Sequence, residues 1–157
     1  MANLDGCIVD ACKKCWETEF ITGHKNKDNC SGFIKAVAKE LGVPLSETAD
    51  ADDIVEEIDV SPKWKKLSSG KDAAAQAALG NFVVAGLKAK DHKPARNHGH
   101  VVVIVTRDLY RDTYPMCWGG SMGAAQSQGT KSVGEVWNRA DRDQVSYFGY
   151  NVAAVCK

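Results

Sequence analysis

Hydrophobic residues recur at helical spacing in the first half of the chain, and this pattern predicts helices over residues 5–17, 30–41, 52–58 and 71–79. Asp5 stands where the N-cap of the first helix is expected. Gly42 and Pro44 follow the second predicted helix, and both residue types are typical of a helix end. The apolar face of that second helix consists of Phe33, Ile34, Val37, Ala38 and Leu41.

After Gly80 the pattern changes to short runs that are rich in β-branched residues and that predict strands. The clearest runs are NFVVAGLKA (81–89), HVVVIVTRD (100–108) and SYFGYNVAAV (146–155). Helices followed by strands predict an α+β fold, in which N-terminal helices pack on an antiparallel β-sheet. Because the chain has 157 residues and no repeat or linker, we expect one domain over residues 1–157.

The charge and the distribution of apolar residues argue against two classes of protein, those that bind nucleic acid and those that insert into a membrane. Twenty basic and twenty acidic residues give a formal net charge of zero, whereas proteins that bind nucleic acid usually carry a basic excess. No apolar run approaches the roughly 20 residues that span a bilayer, so membrane insertion is not expected. The first twenty residues include acidic side chains and lack a long apolar run, so they are not predicted to be a secretory signal peptide.

The chain has six cysteines, which is many for a protein without an export signal. Its first three form CIVDACKKC, a spacing found at some iron–sulfur sites, and CKKC is also typical of redox pairs. The same segment predicts an amphipathic helix, and no fourth ligand is evident. We therefore expect structural cysteines and no cofactor or metal, with a metal or redox module as the non-enzymatic alternative. The six are Cys7, Cys12, Cys15, Cys30, Cys117 and Cys156.

Cys30 stands where a polar loop, NKDN, turns into the second predicted helix. The start of a helix offers unpaired N–H groups and the positive end of the helix dipole, which favour a thiolate and can lower the pKa of a cysteine. The same N–H groups can bind the oxyanion that forms when sulfur attacks an amide. Cys30 alone is better explained as a small core residue, because free cysteines are commonly buried.

A nucleophilic cysteine needs a base, and His98 and His100 flank Gly99 at the start of the strongest predicted strand. Strand alternation places His98, His100, Val102 and Ile104 on one face. A strand would hold His100 rigidly, which suits a general base. A histidine at the edge of a strand can also be purely structural. The sequence thus offers Cys30 and His100 as a nucleophile and a base.

Five segments carry a resemblance to a known family. The chain is similar to the first family of type VI secretion amidase effectors, which belong to the NlpC-type branch of papain-like enzymes. The resemblance covers nearly the whole chain and implies a papain-like NlpC-type fold. The segments are NKDNCSGF, GHVVVIV, LYRDTYPMCWGGS, SQGTKSVGEVWNR and DRDQVSYFGY.

The resemblance implies an antibacterial cysteine endopeptidase that hydrolyses the γ-D-glutamyl–meso-diaminopimelate bond of peptidoglycan stem peptides. Cys30 would be the nucleophile and His100 the base. Such effectors are made in the cytoplasm, leave through the type VI secretion tube, act in the periplasm of a rival Gram-negative cell, and are neutralised by a periplasmic immunity protein. A papain-like deamidase or acyltransferase acting on another amide is the alternative.

Three further expectations come from the resemblance, and a fourth, on two tryptophans, comes from the residues themselves. Residues 89–97 are longer than the family pattern, and Gly119 stands at the position of the base-orienting group without a side chain, so a backbone carbonyl would orient the imidazole. Cys7 and Cys156 are implied to form a disulfide, whereas the pairing of Cys12, Cys15 and Cys117 is left open. Trp118 and Trp137 are expected to pack in the core.

Overall fold

The structure is a computed structural model that describes residues 4–151. Its helices are α1 (Gly6–Trp16), α2 (Cys30–Glu40), α3 (Ala51–Val60), α4 (Gly70–Ala78) and α5 (Val133–Val136), with 3-10 turns at Asn26–Asp28 and Ala89–Asp91. Its strands are β1 (Lys65–Leu67), β2 (Phe82–Leu87), β3 (His100–Tyr110), β4 (Tyr114–Gly119), β5 (Ser127–Ser132) and β6 (Ser146–Tyr150).

Within the described residues the six strands form one sheet in the order β1-β6-β2-β3-β4-β5. Every neighbouring pair is antiparallel. The predicted α+β class, with helices packed on an antiparallel sheet, is therefore confirmed. The long strand β3 lies inside the sheet, between β2 and β4, so both of its edges are paired.

The two faces of the sheet carry separate hydrophobic cores. Val101, Val103 and Val105 of β3 pack in the core that contains the apolar residues of α1, α2 and α3. Val102 and Ile104 pack in the core on the other face, beneath α4 and α5. The alternation of β3 thus divides its side chains between two layers of helices, as a strand buried on both faces requires.

The four predicted helices agree with α1 to α4 to within two residues, and α2 ends before Gly42, which has a φ of +72°. Asp5 is the N-cap of α1, but its side chain does not cap the helix. The Oδ2 atom of Asp5 instead accepts a hydrogen bond from the backbone N–H of Thr106 at 2.7 Å. That bond joins the start of α1 to β3, so the predicted N-cap position of Asp5 is confirmed while its carboxylate binds β3.

The predicted core positions are confirmed, since Trp118 and Trp137 are buried on opposite faces of the sheet. Cys12 and Cys15 are also buried, in the core beneath α1. No helix within residues 4–151 is long and apolar enough to cross a membrane. The last predicted strand is confirmed over Ser146–Tyr150. Residue 151 is not part of the strand, and residues 152–155 of the prediction lie outside the described residues.

Candidate active site

Cys30 is the first residue of α2 and lies at the rim of the helical layer. Asn29 caps the helix: its Oδ1 atom accepts hydrogen bonds from the backbone N–H of Gly32 at 2.9 Å and from the hydroxyl of Ser31 at 3.0 Å. This cap orients the first turn and leaves the N–H groups of Cys30 and Ser31 at the end of the helix dipole. The predicted placement of Cys30 at a helix N-terminus is confirmed.

The loop that precedes Cys30 is held by the fully buried side chain of Asn26. Its amide group donates to the carbonyl oxygen of Cys15 at 2.9 Å and to the hydroxyl of Thr18 at 3.1 Å. Its Oδ1 atom accepts from the backbone N–H of Phe20 at 3.0 Å. Buried amides are stable only when paired in this way, so Asn26 ties the loop before the cysteine to the end of α1.

The segment that follows β4 packs closely against the same loop. A Cβ atom on Gly120 would collide with the backbone carbonyl oxygens of Asn26 and Asn29. Immediately beyond, the N–H of Ser121 donates to the carbonyl oxygen of Lys27 at 2.9 Å, and the side-chain amide of Gln126 donates to that oxygen at 2.6 Å. Sequence reasoning missed Gly120 and Gln126, although the Gly-Gly pair of MCWGGS was a signal for close backbone approach.

A cleft of about 430 Å³ opens beside Cys30. One wall is the helix start, the second is the beginning of α3, and the third is the segment that leads into β3. Three aspartates and His98 give the cleft its charged and titratable groups. Its lining consists of Asp28, Asn29, Cys30, Ser31, Asp50, Ala51, Asp52, Asn97, His98, Gly99, Ser121 and Met122.

The thiol of Cys30 is half-buried, and burial raises its pKa. Hydrogen bonds from the backbone N–H groups of Val101, Ser31 and Cys30 act in the opposite direction but are outweighed. The expectation that the helix start lowers this pKa is therefore wrong for the unbound protein. Removal of the sulfur from water destabilises the thiolate more than the backbone N–H groups at the helix start stabilise it. At neutral pH Cys30 is a thiol that donates to the carbonyl oxygen of Gly99 at 3.9 Å.

His100 does not share the cleft with Cys30. Its imidazole lies on the other face of the sheet, where the ring centroid is 5.1 Å from that of Trp137. The Nε2 atom of His100 is buried and has no hydrogen-bond partner among the described residues. Burial, together with His92 and Arg96, lowers the pKa of His100 to about 4. Of the two histidines considered from the sequence, it is His98 that lines the cleft, and its side chain is exposed.

Gly119, the expected orienting position, is buried at the end of β4 beside β3. A Cβ atom on it would stand 2.6 Å from the Cγ1 atom of Val102, so its role visible in the structure is close strand packing. Of the cysteines, Cys12, Cys15, Cys30 and Cys117 are free thiols. Cys156, the predicted partner of Cys7, lies outside the described residues, so that pairing stays a prediction.

The helix-start thiol, its backbone donors and the open cleft together define a candidate site of nucleophilic chemistry on an α+β scaffold. No family model matches the chain. The chain is 50% identical over 156 residues to the peptidoglycan amidase Tse1 of Pseudomonas aeruginosa, an alignment that covers 98% of this chain and 96% of Tse1. The chain belongs to the family of Tse1, the family of type VI secretion amidase effectors that its motifs indicated.

Proposed function

We propose that this protein is an antibacterial amidase that hydrolyses the γ-D-glutamyl–meso-diaminopimelate bond of peptidoglycan stem peptides. Cys30 is the nucleophile and His100 the base in this proposal. The main support for this proposal is that a thiol at a helix N-terminus lines an open cleft, in a chain whose sequence is 50% identical to that of a peptidoglycan amidase. The NlpC-type arrangement of papain-like enzymes is the fold that goes with this chemistry.

The proposed reaction begins with transfer of the Cys30 proton to the imidazole, while sulfur attacks the amide carbonyl carbon. The N–H groups of Cys30 and Ser31 stabilise the oxyanion that forms. The imidazolium then protonates the leaving amine, the carbon–nitrogen bond breaks, and a thioester remains. Water, deprotonated by the imidazole, attacks the thioester, giving a carboxylate and restoring the thiol. Because burial raises the pKa of Cys30, the base is needed in the first step as well.

The choice of base has a structural consequence. For His100 to reach the sulfur, the backbone at the start of β3 must move so that the imidazole leaves Trp137, because the backbone fixes the face to which a strand side chain points. The buried Nε2 atom makes no hydrogen bond with the described residues that would oppose this movement. The movement needed is local, since the carbonyl oxygen of the preceding residue, Gly99, already contacts the sulfur of Cys30. His98 is the alternative base because it lines the cleft without rearrangement.

We further propose that the protein is delivered by the type VI secretion tube into the periplasm of a Gram-negative target, where a cognate immunity protein neutralises it. Expression in the cytoplasm of a Gram-negative host should then leave growth nearly unchanged, because cross-linked peptidoglycan lies outside the inner membrane. The same chain fused to an export signal should lyse the host, and Cys30→Ala should abolish lysis. Toxicity confined to the cytoplasmic form would favour a deamidase or acyltransferase acting on an intracellular amide.

The activity itself is tested on purified dye-labelled sacculi. Wild-type protein should release dye, and Cys30→Ala should release none at equal concentration and with an unchanged circular dichroism spectrum. Equal release by both proteins would exclude Cys30 as the nucleophile, and no release by the wild type would exclude peptidoglycan hydrolysis.

A further inference from the structure

Asp141 is a fully buried carboxylate in the turn that follows α5, and Trp137 just before this turn packs in the core on the face of the sheet opposite Cys30. Its Oδ1 atom accepts a hydrogen bond from the backbone N–H of Lys93 at 2.7 Å. Its Oδ2 atom lies 3.8 Å from the Nη2 atom of Arg96, whose side chain is 54% exposed. Oδ2 makes no hydrogen bond with the described residues, so the ion pair with Arg96 is what compensates its charge there, and an unpaired charge in the interior is strongly unfavourable. Both partners belong to the segment between β2 and β3.

Asp141 is itself rigidly placed. Its backbone N–H donates to the side-chain oxygen of Asn138 at 3.0 Å, and its carbonyl oxygen accepts from the N–H of Gln144 at 2.8 Å. The carboxylate therefore projects from an ordered turn after α5 and does not simply follow the segment that it binds.

The segment in question, residues 88–97, is closed on itself and held from two sides; we call it the β2–β3 loop. The N–H of Arg96 donates to the carbonyl oxygen of Ala89 at 2.9 Å, which brings the two ends of the loop together. The N–H of Ala89 donates to the Oδ1 atom of Asp52 in α3 at 2.9 Å. Asp52 thus holds the start of the loop from the cleft side, and Asp141 holds its later part from the opposite side.

The end of this loop leads directly into a wall of the Cys30 cleft. Asn97, His98 and Gly99 line the cleft, and they follow Arg96 without a break. The carbonyl oxygen of Gly99 is the group that accepts from the Cys30 thiol. A shift of Arg96 is therefore transmitted within three residues to the atoms around the sulfur.

We propose that Asp141 is a positioning residue for the Cys30 site, which acts through Lys93 and Arg96 to fix the β2–β3 loop and with it the cleft wall at Asn97 to Gly99. The kinetic consequence rests on the proposed amidase function. The mechanical consequence does not, because the position of the wall also controls how readily a reagent reaches the Cys30 thiol.

The test compares Asp141→Asn, Arg96→Gln and the double variant with a control in the same loop, Lys90→Gln. Asp141→Asn keeps an oxygen acceptor for the N–H of Lys93, and Arg96 is largely exposed, so the fold should be retained in both. Lys90 is exposed and makes no ion pair within the described part of the chain. Arg96→Lys is the conservative variant, which keeps a positive charge near the carboxylate.

Two readouts are needed. With a defined stem peptide, Asp141→Asn and Arg96→Gln should each lower kcat/KM by roughly tenfold, mainly through KM, because misplacement of about 1 Å has large kinetic effects. The double variant should be no worse than either single variant, since both break one link, and Arg96→Lys should recover part of the loss. Alkylation of Cys30 by a bulky maleimide, located by peptide mapping, should become at least about threefold faster in both single variants, a mechanical effect of the same misplacement.

Unchanged alkylation and unchanged kcat/KM in the single variants would overturn the proposal, as would fully multiplicative losses in the double variant. If the wild type hydrolyses no stem peptide, the proposed function fails, and the alkylation rates alone decide the positioning role. A lower melting temperature with normal alkylation and kinetics would assign Asp141 to stability alone and would also overturn the proposal.

Discussion

The sulfur of Cys30 lies 3.9 Å from the carbonyl oxygen of Gly99, to which the thiol donates a hydrogen bond. This contact, and the burial that raises the pKa of Cys30, describe a resting thiol. The imidazole of the next residue, His100, lies against Trp137 on the opposite face of the sheet. The unbound site therefore holds no preformed thiolate–imidazolium pair, and the proposed amidase must assemble its proton-transfer pair when substrate binds.

The identity of the base can be decided by two alanine variants. We expect His100→Ala to lower kcat on a stem peptide by roughly a hundredfold or more, which is typical when a general base is lost, while His98→Ala retains substantial activity. Steady-state kinetics at neutral pH measures both, with melting temperatures as the control for folding. An inactive His98→Ala together with an active His100→Ala would show that the base is the histidine already in the cleft.

Close backbone contact at Gly120 should contribute to both stability and activity. In Gly120→Ala the new methyl group would collide with the carbonyl oxygens of Asn26 and Asn29, so the loop before Cys30 must move. We expect a loss of about 1–3 kcal/mol in the free energy of unfolding and at least a tenfold fall in kcat/KM. Urea denaturation and peptide hydrolysis measure the two effects.

The matched control is Gly123→Ala in the same connection, where a Cβ atom would meet nothing within 4 Å. Its stability and activity should equal those of the wild type. Equal behaviour of the two alanine variants would mean that the loop before Cys30 tolerates displacement and that its packing does not position the sulfur.

Much of the fold follows from local patterns. The helical spacing of residues 30–41 and the apolar run after His100 are strong signals, and α2 and β3 begin at the expected residues. By contrast, β4 and β5 were not predicted: β4 contains Pro115 and ends in glycine, and β5 reads SQGTKS, a polar segment that becomes a strand only by pairing with β4. Strand formation there depends on the neighbouring strand, which a local pattern does not contain.

The site was predictable in part for the same reason. Placing Cys30 at a helix start required only the local pattern around it. Alternation also predicted correctly that His100 shares a face with Val102 and Ile104. Its placement of His98 on that face was wrong, because β3 begins only at His100 and His98 lines the cleft before it. Alternation could not reveal that α2 packs on the other face, because which layer a helix joins is decided by tertiary packing. The burial that raises the pKa of Cys30 was hidden for the same reason.

The resting position of His100 has a consequence for stability against pH. Its pKa is lowered from 6.5 to about 4, so the unfolded chain binds the proton more tightly than the folded one between these values. Stability from this group is present above pH 6.5 and is lost as the pH falls toward 4, by at most about 1.4 kcal/mol per pH unit. Urea denaturation across that range should give a smaller loss for His100→Gln than for wild type.

His24→Gln, a substitution in an exposed loop, is the control for this measurement and should retain the wild-type dependence on pH. If His100→Gln loses stability as steeply as the wild type, the imidazole does not rest against Trp137 in solution.

The implied disulfide can be tested directly. Peptide mapping of oxidised protein under non-reducing conditions should recover a cross-link between Cys7 and Cys156, with Cys12, Cys15, Cys30 and Cys117 as free thiols. Because the bond would close a loop of nearly the whole chain, its reduction should lower the free energy of unfolding by roughly 4–5 kcal/mol in the chain-entropy account. Recovery of Cys7 joined to another cysteine would contradict the pairing.

The most direct test of the central claim is mass spectrometry of a defined cross-linked muropeptide after incubation with the wild type and with Cys30→Ala. The wild type should give fragments of two kinds, one ending in D-glutamate and the other beginning with meso-diaminopimelate, and Cys30→Ala should leave the substrate intact. Cleavage at another amide, or the same fragments from Cys30→Ala, would contradict the account.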